Sequence, residues 1–388
     1  MEIETEAASG FDDLSLPKLC ERRSEKWTTY PPDVLPAFVA EMDFALAEPI
    51  QRALIEAITR GDTGYASPMG LAEAFAGFAH ARFNWLVHPE RVFLVPDVMV
   101  GVAEVLRLTT EPGSGIVINT PGYPPFFPTI PEYGRRVVEA PLARSSRGWE
   151  LDFDGLEQAF KSGARAYLLC NPHNPTGRVF SRGDLKRIAT LAARYGVVVV
   201  SDENHAPLTL AGAVHTPFVS LGEEAAGNAA TVISAAKGWN LAGLKCAVVV
   251  AGSEAIRGRL LTLPTEVRSR AGHLGVLAAI AAYRDGGPWL RGLLAHLDRN
   301  RTLLGQLLAE HLPAVSYVPP EASYLAWLDC TKLGLGDDPA ARFLERGRVA
   351  LSRGLDFGPN GAEFVRLNMG TSRGLLQEAV ARMAEAVG

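Results

Sequence analysis

The sequence predicts an α/β fold in which a mainly parallel seven-stranded sheet is flanked by helices and joined to a smaller α+β domain. Three observations lead there. Seven short β-rich runs alternate with longer stretches of helical periodicity, the pattern of successive strand–helix–strand units. A Leu-rich helical stretch followed by strand-like pieces breaks that alternation near residue 290. A chain of 388 residues, 47% of them hydrophobic, exceeds one typical core and suits two domains of at least ~100 residues each.

The seven runs are Val92–Val95, Ile116–Ile118, Val137–Val138, Ala166–Leu169, Val197–Val200, Thr231–Ser234 and Cys246–Val250. Runs this apolar suit strands covered on both faces by helices. Helical intervals include residues 70–79 and 181–194, where apolar side chains recur every three to four positions. From about Pro288 to Leu312 one long helix is predicted, with strand-like pieces at Tyr317 and Ser323–Leu328. No internal repeat or low-complexity linker interrupts the series.

A net charge of −5 gives no electrostatic reason to expect nucleic acid or an anionic membrane as partner. The start, Met1-Glu-Ile-Glu-Thr-Glu6, is acidic and lacks the basic and apolar parts of a secretory signal, and no run approaches ~18 apolar residues, so a cytoplasmic location is expected. Cys20, Cys170, Cys246 and Cys330 are scattered without metal-ligand spacing, so no metal is expected and reduced thiols are.

Chemistry concentrates where three of the runs end. Lys237, in Ser234-Ala-Ala-Lys237-Gly-Trp-Asn-Leu-Ala-Gly243-Leu-Lys245, places an amine just past a strand. Burial there lowers an ammonium pKa and frees the amine to attack an aldehyde, while Ser234 and Lys245 can hold a phosphate beside it. A lone lysine in a Gly-rich loop is usually solvated. Two further strand ends reverse that preference: Asn171-Pro-His-Asn174-Pro-Thr-Gly177, and Ser201-Asp202-Glu-Asn-His205. Ligands of open α/β sheets sit beyond the carboxyl ends of strands, where Asn174, Asp202 and Lys237 can converge and the aspartate can hold a pyridine nitrogen protonated. Taken singly, Asp202 reads as a cap or turn residue and Asn174 as an Asx turn before Pro175.

With these residues in view, the chain resembles the pyridoxal-phosphate (PLP) enzymes of fold type I, the aspartate-aminotransferase fold, and within them the cystathionine β-lyase-like MalY/PatB branch. The resemblance runs through Phe38-Val-Ala-Glu-Met-Asp-Phe44, Gly64-Tyr65, Thr120-Pro-Gly-Tyr123-Pro-Pro-Phe126, the Asn171–Gly177 and Asp202–His205 segments, His215-Thr-Pro-Phe218, the Lys237 string and Phe364-Val-Arg366-Leu-Asn368. It implies a large PLP-binding domain over residues 45–285, and a small domain made of 1–44 and 286–388.

It also implies the site roles. Lys237 forms the Schiff base and later acts as general base. Asp202 keeps the ring nitrogen protonated, Asn174 donates to the ring oxygen, and Tyr123 stacks over the ring, although a tyrosine between Gly122 and Pro124 also suits turn packing. Phosphate is held by the amides of Val98 and Met99 at a helix start, with Ser234 and Lys245. Lys245 stands where aminotransferases usually have arginine, a point charge in place of a fork. Tyr65 reaches the phosphate of a neighbouring subunit, which implies a homodimer with shared active sites. Arg366 grips the carboxylate of an amino-acid substrate in a bidentate pair, with Ala40 adding a backbone amide.

Lyase and transaminase differ in the fate of the Cα carbanion. Elimination expels a thiolate from Cβ and ends in pyruvate and ammonia; transamination returns the proton to the cofactor. His205, three residues after Asp202, matches the lyase branch, whereas many aminotransferases carry tyrosine there; the resemblance makes it a cofactor-binding residue near the ring oxygen, and a structural histidine at the turn is the other reading of its role. The expected activity is therefore β-elimination from a cysteine S-conjugate or cystathionine, with an aminotransferase, a decarboxylation-coupled deaminase or an idle regulatory protein as alternatives. Departures from the branch are Gly238-Trp239 for Thr-Phe, Phe38 for tryptophan, and Asn204 and Pro207 in the histidine loop. A smaller residue after the lysine and a changed loop are expected either to leave room for a bulkier conjugate or to divert the chemistry toward transamination or decarboxylation-coupled deamination.

Overall fold

The computed structural model describes residues 10–145 and 148–388, so of the expected 1–44 segment only its part from Gly10 onward is placed. The strands of the large sheet are β1 (Val92–Val95), β2 (Gly115–Ile118), β3 (Arg136–Glu139), β4 (Ala166–Cys170), β5 (Val198–Asp202), β6 (Ala229–Ile233) and β7 (Ala247–Ala251). Their order is β1-β7-β6-β5-β4-β2-β3. All neighbours are parallel except β7, which runs antiparallel to both β1 and β6. The sheet is thus mixed, with one reversed strand.

Two-residue periodicity sends alternate side chains to opposite faces, and both faces are buried. Val198, Val200, Ala230 and Val232 join one apolar cluster with the helix Val98–Thr109. Val197, Val199, Ala229 and Ile233 join the other with Leu185, Ile188 and Ala192. Those last three lie on the helix Arg182–Tyr195, which Ser181 and Asp184 start with a reciprocal capping box and Gly196, at φ +64°, ends.

Register determines where the chemistry emerges. Cys170 is level with Asp202 across β4 and β5, and Asp202 is level with Val232 across β5 and β6. Segments leaving β4, β5 and β6 therefore start side by side at one sheet edge. Strand β5 runs two residues beyond the expected end, so Asp202 is its last residue, whereas β6 stops at Ile233 and releases Ser234.

Beyond the helix Gly287–His311, four short antiparallel strands, β8 (Ser316–Tyr317), β9 (Leu325–Asp329), β10 (Ser352–Arg353) and β11 (Phe364–Asn368), form a second sheet in the order β8-β9-β11-β10. Leu35–Pro36 pairs in parallel with Val349–Ala350, and the Asn368 N–H donates to the Ala37 carbonyl at 2.9 Å. This lays the strip 38–43 along the end of β11, toward the large sheet.

Candidate active site

The loops leaving β4, β5 and β6 surround one cavity, whose wall includes Ala40, Val98, Met99, Tyr123, Asn174, Asp202, Asn204, His205, Ser234, Lys237 and Lys245. Lys237 lies in the single helical turn Ala236–Trp239, which ends at Asn240 in the left-handed region (φ +60°). Its Nζ donates to the Ala40 carbonyl at 2.8 Å. Surrounding protein strips water from the ammonium and the Arg366 charge opposes it further, so its pKa falls to about 8.

Asp202 is buried, and its Oδ1 accepts from the Asn204 N–H at 3.0 Å. Desolvation pushes its pKa up to about 6. The next residue faces a different environment: the fully buried Glu203 carboxylate accepts from Ser201 Oγ (2.8 Å), Thr231 Oγ1 (3.1 Å) and the Phe218 N–H (2.8 Å), and pairs with His215 Nε2 at 2.9 Å. Glu203 thereby pins the chain on both sides of Asp202, and His215 serves that anchor. The only sign of this anchor in the sequence is an acidic pair at the end of an apolar strand.

His205 is buried and its imidazole is neutral, because desolvation lowers its pKa to about 3 with help from the Lys237 and Arg366 charges. Its Nδ1 has no hydrogen-bond partner among the described residues. Tyr123 forms another wall, its ring edge-on to Phe126 at 5.3 Å, and burial pushes its phenol to about 12.

Arg366, on β11, is buried and brings the small sheet to the same place. Its Nη1 donates to Asn174 Oδ1 at 3.0 Å, which leaves the Asn174 amide nitrogen to donate into the cavity. Its Nη2 donates to the Phe38 carbonyl and Ser352 Oγ, both at 3.1 Å. The guanidinium sits over the Phe357 ring, its Nε is buried without a partner, and no ion pair among the described residues involves it. A buried cation held only by neutral acceptors suits an incoming carboxylate.

At the other end, Asp97 caps the helix Val98–Thr109 through the Val100 N–H at 2.9 Å, leaving the first-turn amides of Val98 and Met99 without intrahelical acceptors. Lys245, at φ +57°, is largely exposed and pairs with Asp97 Oδ2 at 3.1 Å, so its charge is shared with a carboxylate. Ser234 is turned toward Asn204 Oδ1, at 2.6 Å. Tyr65, 96% exposed, lies outside the cavity of its own chain.

The strip 38–43 is tied down carbonyl by carbonyl. Tyr324, fully buried, donates its hydroxyl to the Ala40 carbonyl at 2.9 Å; Asn368 Nδ2 donates to Val39 and Glu41. Asn240 exchanges two 2.9 Å bonds with the Met42 main chain, and Lys26 pairs with Asp43 at 2.8 Å inside the protein. Tyr324 and Asn240 carried no motif-level signal for this function.

One expectation is overturned. Gly238 does not open space for a substrate: a Cβ there would lie 3.1 Å from Pro207 Cβ, so Pro207 already fills the gap. Two departures from the family pattern are one packed pair. Gly238→Thr is expected to lower stability by ~1–3 kcal/mol through overpacking, and by less in a Pro207→Gly background. Denaturant titration of the two singles and the double measures that coupling; equal losses in both backgrounds would refute it.

Known proteins resemble the chain along most of its length. A family model described as aminotransferase class I and II matches residues 39–383. A Mycobacterium tuberculosis protein provisionally named cystathionine β-lyase is 47% identical over 404 aligned positions, covering 97% of this chain and 98% of its own. Cystathionine β-lyase PatB of Bacillus subtilis is 36% identical, with 92% and 93% covered. The crystal structure of a Corynebacterium diphtheriae protein provisionally named PLP-dependent β-cystathionase superposes with a TM-score of 0.93 at 35% identity, covering 97% of this chain and 99% of that one.

Proposed function

Because the chain belongs to the aminotransferase class I and II family, we propose that it is a PLP-dependent carbon–sulfur β-lyase that cleaves cystathionine or another cysteine S-conjugate to thiol, pyruvate and ammonia. The observation that carries this reading is the meeting of the Lys237 amine, the Asp202 carboxylate and the Asn174 side chain around one cavity, with Arg366 bonded to Asn174. The names of the relatives favour elimination over transamination.

The residues fit the cofactor. Asp202 is a buried carboxylate raised to about 6, which a protonated ring nitrogen would stabilise. The Val98 and Met99 amides at a helix start suit a phosphate. When bound, PLP supplies a protonated ring that takes up the electrons released at the substrate α-carbon. Lys237, near pKa 8, is poised to receive the proton from that carbon. Arg366 and the Ala40 N–H hold the substrate carboxylate, and the neutral His205 imidazole and the Asn174 amide orient the ring oxygen. The pair released at the α-carbon then forms the Cα–Cβ double bond as the sulfur leaves with the C–S electrons and takes a proton, and water hydrolyses the released aminoacrylate to pyruvate and ammonia.

We further propose a homodimer in which Tyr65 enters the partner's site. Its 96% exposure, beside exposed Met69 on the same loop, supports this. No described helix is long and apolar enough to cross a membrane, and an exposed free Cys20 with three further free thiols supports a cytoplasmic enzyme.

Incubating the purified protein with cystathionine and assaying thiol and pyruvate tests the reaction. Both products without a keto-acid acceptor are expected. Product formed only with an acceptor would instead make the protein an aminotransferase, and neither product across a panel of S-substituted cysteines would leave a non-catalytic role.

A further inference from the structure

Asn204 touches both ends of the cavity. Its main-chain N–H donates to Asp202 Oδ1 at 3.0 Å, and its side-chain Oδ1 lies 2.6 Å from Ser234 Oγ. Ser234 also accepts from the Ala236 N–H at 3.1 Å. A hydroxyl has one proton and two lone pairs. With the Ala236 amide on one lone pair and the proton directed at Asn204, Ser234 has no proton left for a phosphate. If the Asn204 amide is instead turned over, its nitrogen donates to Ser234 and the hydroxyl proton is freed toward the cavity. The orientation of the Asn204 amide therefore decides whether Ser234 offers a proton to the phosphate.

The backbone that carries Asn204 cannot drift, because the neighbouring Glu203 carboxylate is fixed by Ser201, Thr231, Phe218 and His215. Asn204 itself forms part of the cavity wall. An apolar residue at this position would keep the main-chain bond to Asp202 but leave Ser234 free to rotate.

We propose that with PLP bound the Asn204 amide is turned to donate to Ser234, making Asn204 a positioning residue that couples the two ends of the cofactor cradle: it directs the Ser234 proton to the phosphate while its own N–H braces the Asp202 carboxylate. The inference rests on the proposed PLP cofactor. It makes Asn204, a departure from the family pattern, a determinant of how tightly the phosphate is held.

The test is a double-mutant cycle on cofactor affinity. Dissociation constants of PLP, and of pyridoxal, which lacks the phosphate, are measured on apoprotein by tryptophan fluorescence. The proteins are wild type, Asn204→Ala, Ser234→Ala and the double variant. Each single change is expected to weaken PLP about tenfold, as loss of one hydrogen bond to a charged group does, and the double is expected to be no weaker than either single. Pyridoxal affinity is expected to change little. Multiplicative losses in the double, or equal losses for pyridoxal and PLP, overturn the proposal. Asn204→Val, closer in volume, replaces the alanine variant if that one does not fold. Failure of wild-type protein to bind PLP overturns the cofactor reading and this inference together, whereas wild-type binding with a multiplicative cycle overturns only the inference.

Discussion

Lys237→Ala is expected to lower turnover at least ~10³-fold, within the range contributed by a positioned general base. Borohydride treatment of the wild-type holoenzyme is expected to leave a pyridoxyl group on the peptide carrying Lys237, and none on the variant; peptide mass reads both. The loss would not come from unfolding. A half-buried lysine whose folded pKa is about 8 holds its charge at a cost, so apoprotein stability rises as pH increases from about 8 toward the unfolded value of 10.5, and the cost is present in full below 8. Removing the amine removes that cost, and the variant apoprotein is expected to melt no lower than wild type at neutral pH. A variant that kept both the pyridoxyl label and turnover would overturn the assignment of Lys237.

Lys237, Asn174 and Asp202 were legible in the sequence for a common reason. Each follows a short run buried on both faces, and such runs declare themselves through β-branched residues. The same property concealed the direction of β7. An all-apolar strand such as Ala247–Ala251 carries no face pattern and reads alike in parallel and antiparallel pairing, so its reversal depends on connections the run does not encode. The helix Arg182–Tyr195 was legible because its signals are local: Ser181 and Asp184 at one end, Gly196 at the other.

What stayed hidden was contact at long range. Tyr324 and Ala40 are 284 positions apart, and Asn240 and Met42 are 198 apart, yet these pairs hold the strip above Lys237. Gly238 read alone suggests room, and only its approach to Pro207 shows the room is taken. Ser234 read alone suggests a phosphate donor, and only the 2.6 Å contact with the Asn204 side chain shows that a second group controls its proton. Spacing within one segment locates the reactive groups; the partners that orient them are supplied by the fold.

Asp202→Ala is the second large effect expected. Removing a buried charge that stabilises the electron-accepting ring should slow exchange of the substrate Cα proton for deuterium ~10²–10³-fold while some cofactor remains bound. The apoprotein offers an independent readout. Burial raises the Asp202 pKa from 3.8 to about 6, so between these values the folded state binds more protons than the unfolded one. Stability from this group therefore falls as pH rises from about 4 to 6, and the full penalty, about 3 kcal/mol at most, persists above 6. Asp202→Asn, which retains an acceptor for the Asn204 N–H, should abolish that slope in pH-dependent melting of the apoprotein. Bound PLP should cancel the penalty in the wild type, because a protonated ring nitrogen pairs with the carboxylate, so cofactor stabilises wild type more than the asparagine variant above pH 6. Unimpaired Cα exchange in the alanine variant, or equal stabilisation of both proteins by cofactor, would show that Asp202 does not face the ring nitrogen.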